Sequence, residues 1–328
     1  MIYSRETHLA IAVVGEASEL CQNIRAEWSE KHQDQKADNS PVTVADFGSQ
    51  ALINAGIHDC FPDDSVIAEE TSSMLRPYLD DNYEGSKLEA VTNYVKYFRE
   101  GATPADVLDW IDIGDSEGGR GRHWSVDPID GTRGYVRGDH YAVSLGLFED
   151  GKVLTGVLGC PNYPHDITNP DGDKGVLFIA EAGLGMQAVD LNDPSKSIAP
   201  AVPPLARMVQ RYGIQPDSAL FNWQVANELG LEPKALAMDS QAKYGAVALG
   251  AAQVYLRLKP GNAPEHIWDH VPGILIAQEG GAEVTDVHGA ALDLTAGRDL
   301  VRNEGVLVTK GIDHAAVVAA VRRVRARR

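Results

Sequence analysis

The segment WSVDPIDGT, residues 124–132, constrains the fold most, because it fixes where a strand must end and what must gather there. His123 to Val126 alternate as a half-buried strand does, and the strand delivers Asp127 at its end. Pro128 has no N–H to offer a neighbour, so regular pairing is expected to stop there, and Asp130 comes back to the same locality. Gly131 and Thr132 open the next turn, leaving two carboxylates beside bare backbone.

The surrounding pattern supplies the sheet. Tyr141 to Glu149, Val153 to Cys160, Gly175 to Glu181 and Gly185 to Asp190 alternate or run apolar, and Asp150-Gly151 is a strong hairpin signal. Together with His123 to Val126 they predict an antiparallel sheet. Upstream, Ile11, Val14, Ala17, Leu20 and Ile24 recur at helical spacing within a helix expected over Glu6 to Trp28, which the polar stretch Lys31 to Asn39 ends. Pro41 to Val44 reads as a short extended piece, and Asp46 to Cys60 as a second helix that Asp46 caps and Pro62 closes. Ser65 to Ala68 is a brief strand that stops at Glu69 and Glu70. Residues 71–105 are polar and poorly periodic, with one helix expected over Lys87 to Arg99.

The stretch Asp193 to Pro204, rich in proline and small residues, reads as a connection between lobes. Beyond it helices are expected at Trp223 to Leu229, Ala242 to Gly250, Trp268 to Glu279 and from Asp313, and strands at Ala235 to Met238, Gln253 to Leu258, near Ala282 and at Gly305 to Val308. That alternation predicts an α/β lobe over residues 199–328, following an α+β lobe over residues 1–198.

Charge narrows the function. With 47 acidic against 29 basic side chains, a net charge of −18 offers no general attraction for a nucleic acid. An anionic substrate would need local help, which divalent cations held by hard oxygen ligands can give. No run approaches the roughly 18 uninterrupted apolar residues of a membrane span, and acidic and polar residues from Arg5 to Glu19 break any signal-peptide profile, so a cytoplasmic location is expected. Cys21, Cys60 and Cys160 have no paired metal spacing and read as reduced thiols. The basic end, Arg322 to Arg328, reads as the solvated last turn of a helix.

Carboxylates stand at the ends of predicted elements in four places: Asp46, the pair Glu69-Glu70, the pair Asp127 and Asp130, and Asp269. Each alone is as readily a cap or a turn former. Together they match metal-assisted phosphoryl transfer, in which carboxylates hold cations about 3.5–4 Å apart, one acidifying a water and another stabilising the leaving oxygen. The amides after Asp130 suit phosphate oxygens. Walker-type glycine loops, a zinc His-Glu pattern and a serine-nucleophile elbow are absent from the sequence.

These residues carry a resemblance. SPVTVAD (40–46), IAEE (67–70), VDPIDGT (126–132) and WDH with the following EGG (268–281) are similar to the ordered motifs of the inositol monophosphatase superfamily of lithium-sensitive, magnesium-dependent phosphatases. Within it, KADNSPVTVADFGSQ (36–50), GRHWSVDPIDGTRGYVRGDHYAVSLGL (121–147) and DSQAKYGAVALGAAQVYLRL (239–258) resemble the 3′(2′),5′-bisphosphate nucleotidases of the yeast and plant type. The resemblance implies a layered αβαβα sandwich of the inositol monophosphatase and fructose-1,6-bisphosphatase type. It also implies removal of the 3′-phosphate from adenosine 3′,5′-bisphosphate, a by-product of sulfate transfer, with two or three magnesium ions.

Carried over by position, Glu69, Asp127, Asp130, Asp269 and the Ile129 carbonyl would ligate metal, and Asp46 and Thr132 would position and deprotonate the attacking water. Gly131 and Thr132 amides would hold the scissile phosphate, and Ser240, Lys243 and Arg257 would contact the nucleotide. Read without the resemblance, Ser240 is a helix cap and Lys243 and Arg257 are solvated charges. The expected partner is a small nucleotide bisphosphate, with no nucleic acid and no membrane. Inositol phosphates, sugar bisphosphates and a catalytically silent nucleotide sensor stand as alternatives.

Three positions depart from the family pattern. Ala68 replaces a glycine, Arg133 stands where lysine is common, and DSALFNWQVANELG (217–230) replaces a nucleotide-contacting segment. Trp223, beside Leu220, Phe221 and Val225, reads as a core aromatic, with stacking on a base as the alternative.

Overall fold

The computed structural model describes residues 2–31, 41–80, 83–200, 205–259 and 264–328. Most of the expected polar stretch Lys31–Asn39, the start of the 36–50 motif and residues 201–204 of the expected connection lie outside the described residues.

Helix α1 (Arg5–Lys31) packs against α2 (Pro41–Cys60). The extended piece expected at Pro41 to Val44 is instead the first turn of α2. Its β-branched residues suggest a strand, but Pro41 has its φ preset for a helix and lacks an N–H that would go unpaired there. Asp46 is therefore no cap: it lies inside α2 and is buried. Strand β1 (Ser65–Ala68) follows, then a 3-10 turn (Ser72–Met74), α3 (Pro77–Asp80), α4 (Lys87–Val95) and α5 (Pro104–Asp112). Helix α5 was not expected from the polar composition, though Thr103 and Asp106 form a capping box around Pro104.

Strand β2 (Arg122–Asp130) and α6 (Thr132–Arg137) precede a hairpin meander of β3 (Ala142–Glu149), β4 (Lys152–Pro164), β5 (Lys174–Glu181) and β6 (Gly185–Asp190). The six-stranded sheet runs β1-β2-β3-β4-β5-β6, antiparallel except that β1 lies parallel to β2. Ala68 pairs with Val126, the last pair between β1 and β2, so Glu69 leaves β1 beside Asp127 of β2. Against β3 the register slips between Asp127, opposite Ser144, and Asp130, opposite Ala142. The proline thus interrupts the ladder as a bulge without ending the strand.

The second sheet is built from β7 (Arg207–Gln210), β8 (Glu232–Ala237), β9 (Val254–Arg257), β10 (Glu283–Thr285) and β11 (Val306–Thr309), in the order β10-β11-β9-β7-β8. Helices α7 (Pro216–Glu228), α8 (Ala242–Ala248), α9 (Val271–Glu279) and α10 (His314–Ala326) accompany it. Strand β7 was not foreseen, and α7 begins well before the expected Trp223. The single helix expected over Trp268 to Glu279 is a 3-10 turn (Ile267–Asp269) and α9, broken at His270, whose φ of −138° is not helical.

Three apolar clusters explain the layering. Leu20, Phe47, Leu52 and Trp124 join α1 and α2 to the first sheet, while Phe148, Phe178, Tyr244 and Ile276 lie between the sheets with α8 and α9. Phe221, Val225, Leu307 and Val321 bury α7 and α10 on the far face of the second sheet. The result is an αβαβα sandwich, and the C-terminal ends of β1 and β2 open beside the start of α8.

Candidate active site

The carboxylates expected from four distant segments meet at that opening. Oxygens of Asp127, Asp130 and Asp269 lie within 4.8 Å of one another. Glu69 lies beside Asp127 and feels the charges of Glu70, Asp269 and Asp130. Asp46 looks onto Glu70 and Glu69 from α2. Local packing fixes each position. Gln50, buried on α2, donates to the Glu70 carbonyl (2.7 Å) and accepts from its N–H (2.9 Å), which pins the chain leaving β1. The methyl group of Ala68 fits because Gly114 faces it: a Cβ on that glycine would lie 2.4 Å from it. The Thr132 hydroxyl donates to the Ile129 carbonyl (3.3 Å), and the Gln241 N–H donates to Asp130 Oδ2 (2.5 Å).

Burial, compounded by like charge, raises the proton affinity of the group. Glu69 is pushed up to about 7 by desolvation and by Glu70 and Asp269, and Asp130 to about 6 by desolvation and Asp269. Asp46 and Asp127 are held well above the ordinary carboxylate range, first by burial and then by their acidic neighbours. Among the described residues nothing hydrogen-bonds to the buried Asp127 Oδ1. A desolvated carboxylate oxygen without a donor, among carboxylates that repel one another, fits a hard divalent cation. Asp127, Asp130 and Asp269 could hold one.

Beyond Asp130 lies a cleft of about 520 Å³. Its wall includes Gly131, Thr132, Ser240, Lys243 and Arg257, all singled out in the sequence, and also Arg133, Arg137 and Arg211. In a chain of net charge −18 this is a local concentration of cations. Gly131 sits at φ +84°, where a Cβ would press against Ser240 Cβ (3.0 Å) and N (3.2 Å), so only glycine lets the two turns touch. Ser240 itself has φ +65°, an uncommon conformation for a residue with a side chain; it precedes α8 by one residue more than a cap would. Buried Lys243 donates to the Ser240 carbonyl and faces the Tyr255 ring. Its ammonium is pushed down to about 8, chiefly by desolvation, with Asp130 working the other way.

Arg257 donates to Asp269 (2.6 Å) through Nη2 and pairs through Nε with Glu265 (3.0 Å). Glu265, only 2% exposed, also meets His270 Nε2 (2.8 Å), whose other nitrogen meets the Tyr244 hydroxyl (2.7 Å). Sequence reasoning missed Glu265, Gln241 and Arg137. Gln241 bridges to Ser144 of β3 (3.0 Å) and to the Trp268 carbonyl (2.8 Å), and Arg137 pairs with Asp139 and Asp239 beneath Tyr212. The proximity of Glu265 to WDH was the available signal for the first. Trp223 is neither core nor cleft: it is 48% exposed, while Ser218 and Asn222 of the same helix line the wall.

The model of the inositol monophosphatase family matches residues 4–326. The chain is 39% identical to a 3′(2′),5′-bisphosphate nucleotidase of Emericella nidulans, covering 99% of both chains. It is 35% identical to 3′,5′-bisphosphate nucleotidase 2 of Arabidopsis thaliana, covering 94% of this chain and 93% of that one. Among solved structures, staphylococcal IMPase-II superposes with a TM-score of 0.60 at 18% identity over 99% of each chain. The inositol monophosphatase of Anabaena gives 0.58 at 21% identity over 96% of this chain and 94% of that one. No helix among the described residues is long and apolar enough to cross a membrane.

Proposed function

The chain belongs to the inositol monophosphatase family, and from that premise we propose that it is a magnesium-dependent 3′(2′),5′-bisphosphate nucleotidase that converts adenosine 3′,5′-bisphosphate to AMP and phosphate. One observation carries the reading: a cluster of mutually repelling carboxylates adjoins a cleft with a cationic wall, the two meeting at Asp130. A substrate with two phosphates needs both, one end taken by metal and the other by charge-assisted hydrogen bonds.

In this reading the lobe of residues 1–198 supplies Glu69, Asp127, the Ile129 carbonyl and Asp130 to two or three magnesium ions, and the lobe of residues 199–328 supplies Asp269. Bound magnesium offsets phosphate charge and lowers the pKa of a coordinated water. The residues do the rest. Gly131 and Thr132 present backbone N–H groups to the scissile phosphate, and the open φ of Gly131 keeps side-chain bulk away from it. Asp46, buried and already proton-avid, accepts a proton passed through the Thr132 hydroxyl from the attacking water. Ser240, Lys243 and Arg257 hold the phosphate that stays on the nucleotide.

Lithium is expected to inhibit by taking one magnesium position, and a cytoplasmic setting suits three unpaired cysteines. The test is phosphate release, with magnesium, from a panel of bisphosphates and monophosphates. Adenosine 3′,5′-bisphosphate should be cleaved far faster than inositol 1-phosphate, and the reverse ranking would overturn the assignment.

A further inference from the structure

Glu69 and Asp269 reach the cluster from segments that share no strand pairing: one follows β1 of the first sheet, the other closes the turn before α9. One side chain touches both approaches. Arg298 Nη2 donates to the carbonyl of Ala68, 230 positions away in the chain (2.5 Å), and Nη1 to those of Ser116 (2.9 Å) and Gly114 (3.3 Å). Its guanidinium also lies over the Trp268 indole, 4.9 Å from the ring centre. Ala68 immediately precedes Glu69, and Trp268 immediately precedes Asp269.

The residues flanking Arg298 fasten the segment that leads to Asp269. The Arg298 carbonyl accepts from the Ile267 N–H (2.9 Å), the Leu300 N–H donates to the Glu265 carbonyl (2.8 Å), and Asp299 meets His266 (2.7 Å). His266 in turn stacks on Trp268, with ring centres 4.3 Å apart and planes 7° from parallel. Carboxylates that repel one another drift apart unless something holds their backbones, and here the hold comes from outside the acidic motifs.

Resting on the reading that these carboxylates hold a divalent cation, we infer that Arg298 is a positioning residue of the metal site, a clasp that fixes the separation of Glu69 and Asp269. A planar guanidinium can fork to carbonyls at its edge while its face packs on an indole; an ammonium cannot do both. Loss of such a support costs metal affinity about 10–100-fold in comparable sites.

The test titrates magnesium alone into purified protein and follows the midpoint of thermal unfolding and the heat of binding, with kcat measured separately at saturating metal. Arg298→Met should need about 10–100-fold more magnesium for half-maximal stabilisation, with kcat at saturation within about threefold of wild type. Arg298→Lys should fall short of wild type in the same direction, and it serves if the methionine variant does not fold. Arg302→Ala removes an exposed arginine of the same loop, paired with Asp293, and should leave the metal titration unchanged. A metal titration for the Arg298 variants that superimposes on wild type overturns the clasp, whether or not kcat falls. A wild type that gains no stability from magnesium overturns the metal reading itself, and the two failures are thereby told apart.

Discussion

The carboxylate wall that meets the cleft at Asp130 and the cationic wall of the cleft itself are both charged, yet they are finished to different degrees. On the cationic side the innermost guanidinium has its answer within the protein: Arg257 lies between Asp269 and Glu265, and Glu265 also holds His270. Burial raises the proton affinity of Glu265, but its partners outweigh burial and leave it below the usual range. Deeper in the carboxylate wall the same desolvation is compounded by like charge. Glu69, Asp127 and Asp46 are all driven upward, and Asp127 Oδ1 has no donor among the described residues. One wall is preorganised by the chain itself, and the other is organised by what it binds. A cluster left incomplete in this way stores repulsion that a divalent cation relieves on arrival.

Replacing one carboxylate should therefore separate activity from stability most sharply. Asp127→Asn is expected to lower phosphate release by about a thousandfold or more, equivalent to about 4 kcal/mol of transition-state stabilisation. In chelator its thermal midpoint should rise, because a repelling charge is gone. A lower midpoint for metal-free Asp127→Asn would mean that the carboxylates support one another as built, and the contrast between the walls would not hold.

Glu265→Gln should do the opposite. Breaking a buried pair while leaving its cation in place costs about 3 kcal/mol, so this variant should melt several degrees lower with or without magnesium. Its KM for a bisphosphate should rise more than for a monophosphate, since Arg257 loses the partner that aims it. Equal stability of Glu265→Gln and wild type would show that the cationic wall does not depend on this carboxylate.

How far each wall was legible in the sequence follows from the same contrast. Much of the acidic wall could be read because its residues sit where strands end, and the strand ends are local signals: Ser65 to Ala68 is a brief apolar run that stops at Glu69, and WSVDPID carries its own bulge. Lys243 and Arg257 were legible only through family resemblance, as charges on a short helix and strand have no local signature. Glu265 was signalled only by its closeness to WDH, and Gln241 and Arg298 were not legible at all. Their contacts are made across the layers, and nothing in a linear sequence separates a bridging Arg or Gln from a solvated one. Helix starts were misread where composition overruled capping. Pro41 and Pro216 each stand at the first turn of a helix that was expected to begin later, and Thr103-Pro104 announced α5 within a stretch dismissed as polar.

The smallest expected effect is also the one that sets the two walls against each other in a single titration. Without metal, Glu69 and Asp130 bind protons more tightly in the folded protein than in the unfolded chain, near 7 and 6 against an ordinary value of about 4. Their repulsion is absent below the ordinary carboxylate range, grows as pH rises through it, and is complete above about pH 7. Glu265 has the opposite sign: its contribution is present above the ordinary range and is lost as pH falls through its lowered value. Metal-free protein should therefore lose a few degrees of thermal midpoint between about pH 4.5 and 7, a slope that Asp127→Asn flattens and saturating magnesium removes. Under acid, the fall in stability should persist with magnesium present and be shallower in Glu265→Gln. Melting curves across pH 3–8, in chelator and in magnesium, decide it: if the two profiles coincide above about pH 5, the carboxylates are not waiting for a cation.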